Sequence, residues 1–155
     1  MNDLFDLSGQ VAVVSGASSG IGVQMAKAYA RYGADIVVTG RRKERLEEIA
    51  QQAPAGSIIP VQGDMGKKED IENMIEQAIS KFGKLDILVN NAGTGAVANA
   101  EDITDEQFKH EMQIDMFGTF VCAREFGKEM IKAKYGRIIN IASMYSAKCK
   151  KDVKD

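Results

Sequence analysis

The chain is poor in the residues that staple or metallate a fold. Its 155 residues include two cysteines, Cys122 and Cys149, and a single histidine, His110. Two distant thiols make no disulfide framework, and one imidazole without a Cys or His cluster makes no zinc site, so no metal centre is expected. His110, between Lys109 and Glu111, reads as a solvated helix residue. Neither charge is in large excess: 20 basic residues stand against 22 acidic ones, a net charge of −2. No basic tract is interleaved with aromatics, which argues against nucleic acid as a partner. No run is long and apolar enough to span a bilayer, and the first residues lack the basic and apolar regions of a secretory leader. A cytoplasmic location is the resulting expectation.

What is present suits one core. A hydrophobic content of 45% in a chain of this length predicts a single domain. Short β-branched or apolar runs at residues 10–14, 34–39, 57–61, 85–89 and 137–142 predict five strands. Helical periodicity falls between them: from the glycine turn to Gly33, over residues 43–52, over residues 67–82, and from Thr104 to about Lys132 with a break near Gly118. Thr104 and Gln107 have the spacing of a capping box. Strict alternation with short connections implies a parallel sheet covered on both faces, an α/β doubly wound fold of Rossmann-type α/β/α layers. In such folds ligands bind beyond the carboxyl ends of the strands, where the strand order reverses.

The stretches after the strands therefore carry the candidate chemistry. Ser15-Gly16-Ala17-Ser18-Ser19-Gly20-Ile21-Gly22 follows the first strand and opens the first helix. Its spacing is G-x-x-x-G-x-G. Glycines there let a backbone approach a pyrophosphate, and the helix N-terminus favours an anion. Taken alone, the turn is equally consistent with a purely structural role. Gly40-Arg41-Arg42 follows the second strand, Gly63-Asp64-Met65 the third, Asn90-Asn91-Ala92-Gly93 the fourth and Ser143 the fifth. All five ends lie on one edge of the predicted sheet.

With these residues in these positions, the chain resembles the short-chain dehydrogenase/reductase family, in order and spacing from about Leu4 to Ser146. The resemblance implies an oxidoreductase that moves a hydride between a nicotinamide dinucleotide and a small carbonyl or secondary alcohol. The cofactor-binding residues it implies are Ser15, Gly16, Ser18, Ser19, Gly20, Ile21, Gly22, Arg41, Arg42, Asp64, Met65, Asn91, Ala92 and Gly93. Arg41 and Arg42 offer guanidinium forks suited to a ribose 2′-phosphate, which favours NADP(H) over NAD(H). Ser143 matches the catalytic serine, and Asp115 stands where the family commonly has an asparagine that orders a relay water.

The resemblance also breaks. The family's acid/base tyrosine lies about a dozen residues beyond the serine, with a lysine four positions later on the same helix face. Here Tyr145 is too near Ser143, and four positions after it stands Cys149, with Lys148 one position earlier. From residue 147 the composition turns to Lys and Asp, so the expectation is a C-terminally truncated member with a dinucleotide-binding domain over residues 1–146 and a charged tail over 147–155. A non-catalytic nucleotide-binding module is the alternative. The resemblance also implies a homo-oligomer, which the family commonly builds through the long helix and the one after it.

Overall fold

A computed structural model describes residues 4–54, 57–95 and 98–143. Five strands form one parallel sheet: β1 (Val11–Val14), β2 (Asp35–Gly40), β3 (Ile58–Gln62), β4 (Ile87–Asn90) and β5 (Arg137–Asn140), in the order β3-β2-β1-β4-β5. The chain runs outward from β1 to β3, then crosses back to lay β4 on the other side of β1. The order thus reverses between β1 and β4. The doubly wound fold predicted above is the fold observed.

Side-chain alternation along β1 divides the core in two. Ala12 and Val14 point to the layer of α1 (Gly20–Arg31) and α2 (Lys43–Gln51), where they meet Ala26, Ala30, Leu46 and Ile49. Val11 and Val13 point to the layer of α3 (Lys68–Phe82) and α5 (Thr119–Ala133), where they meet Met74, Ala78, Cys122 and Phe126. Every residue of β1 is buried, as a strand covered on both faces must be. Small residues on α1 let it lie close to the sheet.

Strand ends differ from the sequence reading by a residue or two, because the ladder rather than the apolar run sets them. Leu85 was predicted to start the fourth strand but instead tucks into the core, and the strand begins at Ile87. Between them Asp86 is buried, its Oδ2 accepting the Val11 N–H at 2.8 Å and facing Lys84 Nζ at 2.8 Å. The predicted break near Gly118 is not a break. α4 (Asp105–Glu111) passes through a π-helical segment, Met112–Gly118, directly into α5. The capping box is present: Thr104 Oγ1 accepts from the Gln107 N–H at 3.2 Å and Gln107 Oε1 accepts from the Thr104 N–H at 2.8 Å.

All four residues of β5, the outermost of the described strands on its side, are exposed, including Ile138 and Ile139. His110 is exposed on α4, as predicted.

Phe126 is fully buried between α5 and the sheet, so Phe126→Ala is expected to destabilise the fold by about 3–5 kcal/mol in denaturant titration, against about 1 kcal/mol for Thr104→Ala. Burial also pushes the Cys122 thiol from its ordinary 9.0 up to about 12. The folded chain therefore keeps the proton that the unfolded chain releases. The thiol's contribution is whole below pH 9 and declines as pH rises toward 12. Cys122→Ala should flatten the alkaline fall of stability measured over that interval.

Candidate nucleotide-binding crevice

The glycine turn is tied to the loop after β4 by one hydroxyl. Ser15 is buried, and its Oγ donates to the Val89 carbonyl at 3.2 Å while accepting the N–H groups of Asn91 and Ala92, each at 3.0 Å. That uses the hydroxyl's donor and both acceptor sites. Asn91 answers with its side chain, Nδ2 donating to the carbonyls of Ser15 at 3.0 Å and Gly16 at 3.3 Å. Two loops from adjacent strands are thereby stitched across the point where the strand order reverses.

Glycine is required at these contacts. Gly16 has φ +66°, and a Cβ on it would stand 2.7 Å from Ala92 Cα. A Cβ on Gly22 would meet Asn91 Nδ2 and the Gly16 carbonyl, both at 2.6 Å. Gly20 differs: it has φ +60°, and a Cβ there would touch nothing within 4 Å, so its backbone is open to an approaching ligand. α1 begins at this residue with neither a side-chain cap nor an acid in its first turn. Its positive end carries no counter-charge from the helix's own first turn.

A cavity of about 610 Å³ runs along the strand ends above this turn. Of the predicted cofactor residues, Gly16, Ser18, Ser19, Ile21, Arg41, Arg42, Asp64, Met65, Asn91, Ala92 and Gly93 line it. Ser15 and Gly22 lie beneath, shaping the turn from below. At the β2 end, Arg42 Nη2 donates to Ser18 Oγ at 3.1 Å and to its carbonyl at 3.4 Å, fixing one guanidinium beside the glycine turn. At the β3 end, Asp64 Oδ1 accepts the Gly66 N–H at 2.9 Å and its own N–H donates to Asp70 Oδ2 at 2.8 Å, which holds the turn above the sheet.

Ser143 and Asp115 line a neighbouring cavity of about 650 Å³, which shares Asn91, Ala92, Gly93 and Thr94 with the first. Asp115 Oδ1 accepts the Thr94 N–H at 2.8 Å. Two positions earlier, Gln113 Nε2 donates to the Gly66 carbonyl at 2.7 Å, and a Cβ on Gly118 would collide with the Met65 carbonyl. The π-helical segment thus grips the loops after β3 and β4 together. Tyr145, Lys148 and Cys149 lie outside the described residues.

Gly40 and Gly63, from the strand-end stretches named in the sequence, also line the crevice; Thr94 and Ile114 line it without having been expected. Ile114 was not readable, because only the π-helical winding turns it toward the β3 loop, where a Cβ on Gly66 would lie 3.5 Å from its Cγ1.

Three comparisons bear on this arrangement. Residues 10–152 match the family model described as short chain dehydrogenase, and the chain belongs to that family. It is 37% identical over 142 residues to an NAD-dependent glycerol dehydrogenase of Listeria innocua, covering 92% of this chain and 56% of that one. Among solved structures, a short chain dehydrogenase from Bacillus anthracis superposes with a TM-score of 0.86 at 40% identity, covering 89% of this chain and 58% of the other. A 3-ketoacyl-(acyl-carrier-protein) reductase from Brucella melitensis complexed with NADH gives 0.87 at 36%, covering 91% and 60%. The chain spans 56% to 60% of these relatives' length. No helix among the described residues is long and apolar enough to cross a membrane.

Because the Ser15 hydroxyl accepts from two half-buried N–H groups, Ser15→Ala is expected to cost about 1–3 kcal/mol in denaturant titration, while Ser15→Thr, which keeps the hydroxyl, stays near wild type.

Proposed function

We propose that the described chain binds NADP(H) in the strand-end crevice and serves an oxidoreductase acting on a small carbonyl or secondary alcohol. The observation that carries this reading is the turn itself: a glycine backbone open at Gly20, an uncapped helix N-terminus, and Arg42 anchored beside them on Ser18. This donor set fits a pyrophosphate with a further phosphate near β2. The bound dinucleotide supplies or accepts the hydride.

The chain's own residues do the rest. Ser18, Ser19 and the α1 N-terminus hold the pyrophosphate, and Asp64 and Met65 flank the adenine end. Asn91, Ala92 and Gly93 form the wall toward the nicotinamide. Arg41 and Arg42 take the 2′-phosphate, which favours NADP(H); NAD(H), the cofactor named for the Listeria relative and bound in the Brucella reductase, is the alternative. Ser143 donates a hydrogen bond to the substrate oxygen, and Asp115, across the second cavity, orders water beside it. Exposed Phe108, Met116, Phe117 and Phe120 along α4, the π segment and α5 support self-association through that helical face. Residues 1–146 form the binding domain in this reading, and a cytoplasmic location is consistent with it.

The test is fluorescence titration of the full chain. Arg41→Ala/Arg42→Ala should raise the Kd for NADPH more than tenfold, since each lost charge-assisted hydrogen bond costs about 1.5–3 kcal/mol, and leave that for NADH nearly unchanged. Equal losses for both dinucleotides would refute the 2′-phosphate assignment. Ketone-dependent NADPH oxidation, lost in Ser143→Ala, separates an enzyme from a binding module.

A further inference from the structure

Behind the crevice, between α1 and α2, lies a smaller groove of about 330 Å³. Its wall carries Ser18, Ser19, Lys27, Arg42, Arg45 and Glu48. Ser18, Ser19 and Arg42 also line the main crevice, so Arg42 stands on the ridge between the two spaces. The charge on this wall is unbalanced: three cations face one carboxylate. Arg45 Nη1 pairs with Glu48 Oε2 at 2.9 Å, whereas Lys27 Nζ donates to the neutral Gln52 Oε1 at 2.8 Å. Lys27 is therefore held at the groove by a partner that does not cancel its charge.

We propose that Lys27 and Glu48, on the wall of this groove, tune the preference for the phosphate on the cofactor's 2′ position in opposite directions. The inference rests on the dinucleotide reading of the crevice. A phosphate beside Arg42 sits at the mouth of a groove small enough that its wall charges act within about one Debye length, ~8 Å at physiological salt. Lys27 strengthens the field there. Glu48 weakens it, both by its own charge and by occupying Arg45. Lys27 and Glu48 are specificity determinants that act across solvent, without touching the nicotinamide or the pyrophosphate. A cofactor lacking the 2′-phosphate brings only its pyrophosphate near Ser18 and Ser19 and responds less to both.

The experiment titrates the full chain and two single variants with NADPH, NADH and 2′,5′-ADP, with melting curves to establish that each variant is folded. Lys27→Gln should raise the Kd for NADPH and 2′,5′-ADP about two- to fivefold, the scale of one exposed charge interaction. Glu48→Gln should lower both by a similar factor. NADH should respond less to either change, and both effects should shrink as ionic strength rises. Parallel shifts for NADH and NADPH, or Glu48→Gln leaving NADPH binding unchanged or weaker, would overturn the tuning by Lys27 and Glu48 while sparing the crevice. A wild-type chain that binds neither dinucleotide would overturn both.

Discussion

The Ser15 hydroxyl is the joint on which the crevice depends. It lies where β1 and β4 diverge, the one place in this sheet where neighbouring loops turn away from each other in opposite layers. A gap is inevitable there by topology. Whether it has a defined shape depends on what fixes its two lips, and here a single buried side chain bonds the Val89 carbonyl and two N–H groups of the opposite loop. Asn91 makes the return connection. The glycines follow from this closeness, since Gly16 and Gly22 are the positions where the stitched loops leave no room for a Cβ.

The fold was legible because its signals are redundant. Five β-branched or apolar runs separated by helical periodicity admit few arrangements once crossovers are right-handed, and the observed strand order is the one such a pattern favours. Strand termini were less legible: Leu85 is apolar and buried, as a strand residue would be, yet belongs to the turn that delivers the Asp86 carboxylate to Val11. The crevice was largely readable because its walls are strand ends, and strand ends can be counted along the chain. What could not be read is how one wall meets another. The Gln113 and Asp115 contacts depend on the helix being wound with π geometry between Met112 and Gly118, and no residue in that stretch announces it.

Electrostatically the crevice is asymmetric. Its β2 side presents Arg41 and Arg42 beside an uncapped helix start, while its β3 side presents Asp64, already engaged with Gly66. A ligand with anionic groups at one end and neutral hydrogen-bonding groups at the other meets matching surroundings in only one orientation. The small excess of acid over the whole chain, −2, conceals this local positive field. Net charge is thus a poor guide to what a single groove attracts.

The π-helical segment also sets a phase. An α-helix advances each residue by about 100° around its axis, and π winding adds residues within nearly the same rise. Everything before Met112 is therefore rotated, relative to α5, from where an unbroken α-helix would leave it. Deleting one residue between 112 and 118 would relax the winding and turn α4 by about that angle, withdrawing either Gln113 or Asp115 from its loop. The length of this stretch, as much as its composition, is a quantity that selection can act on.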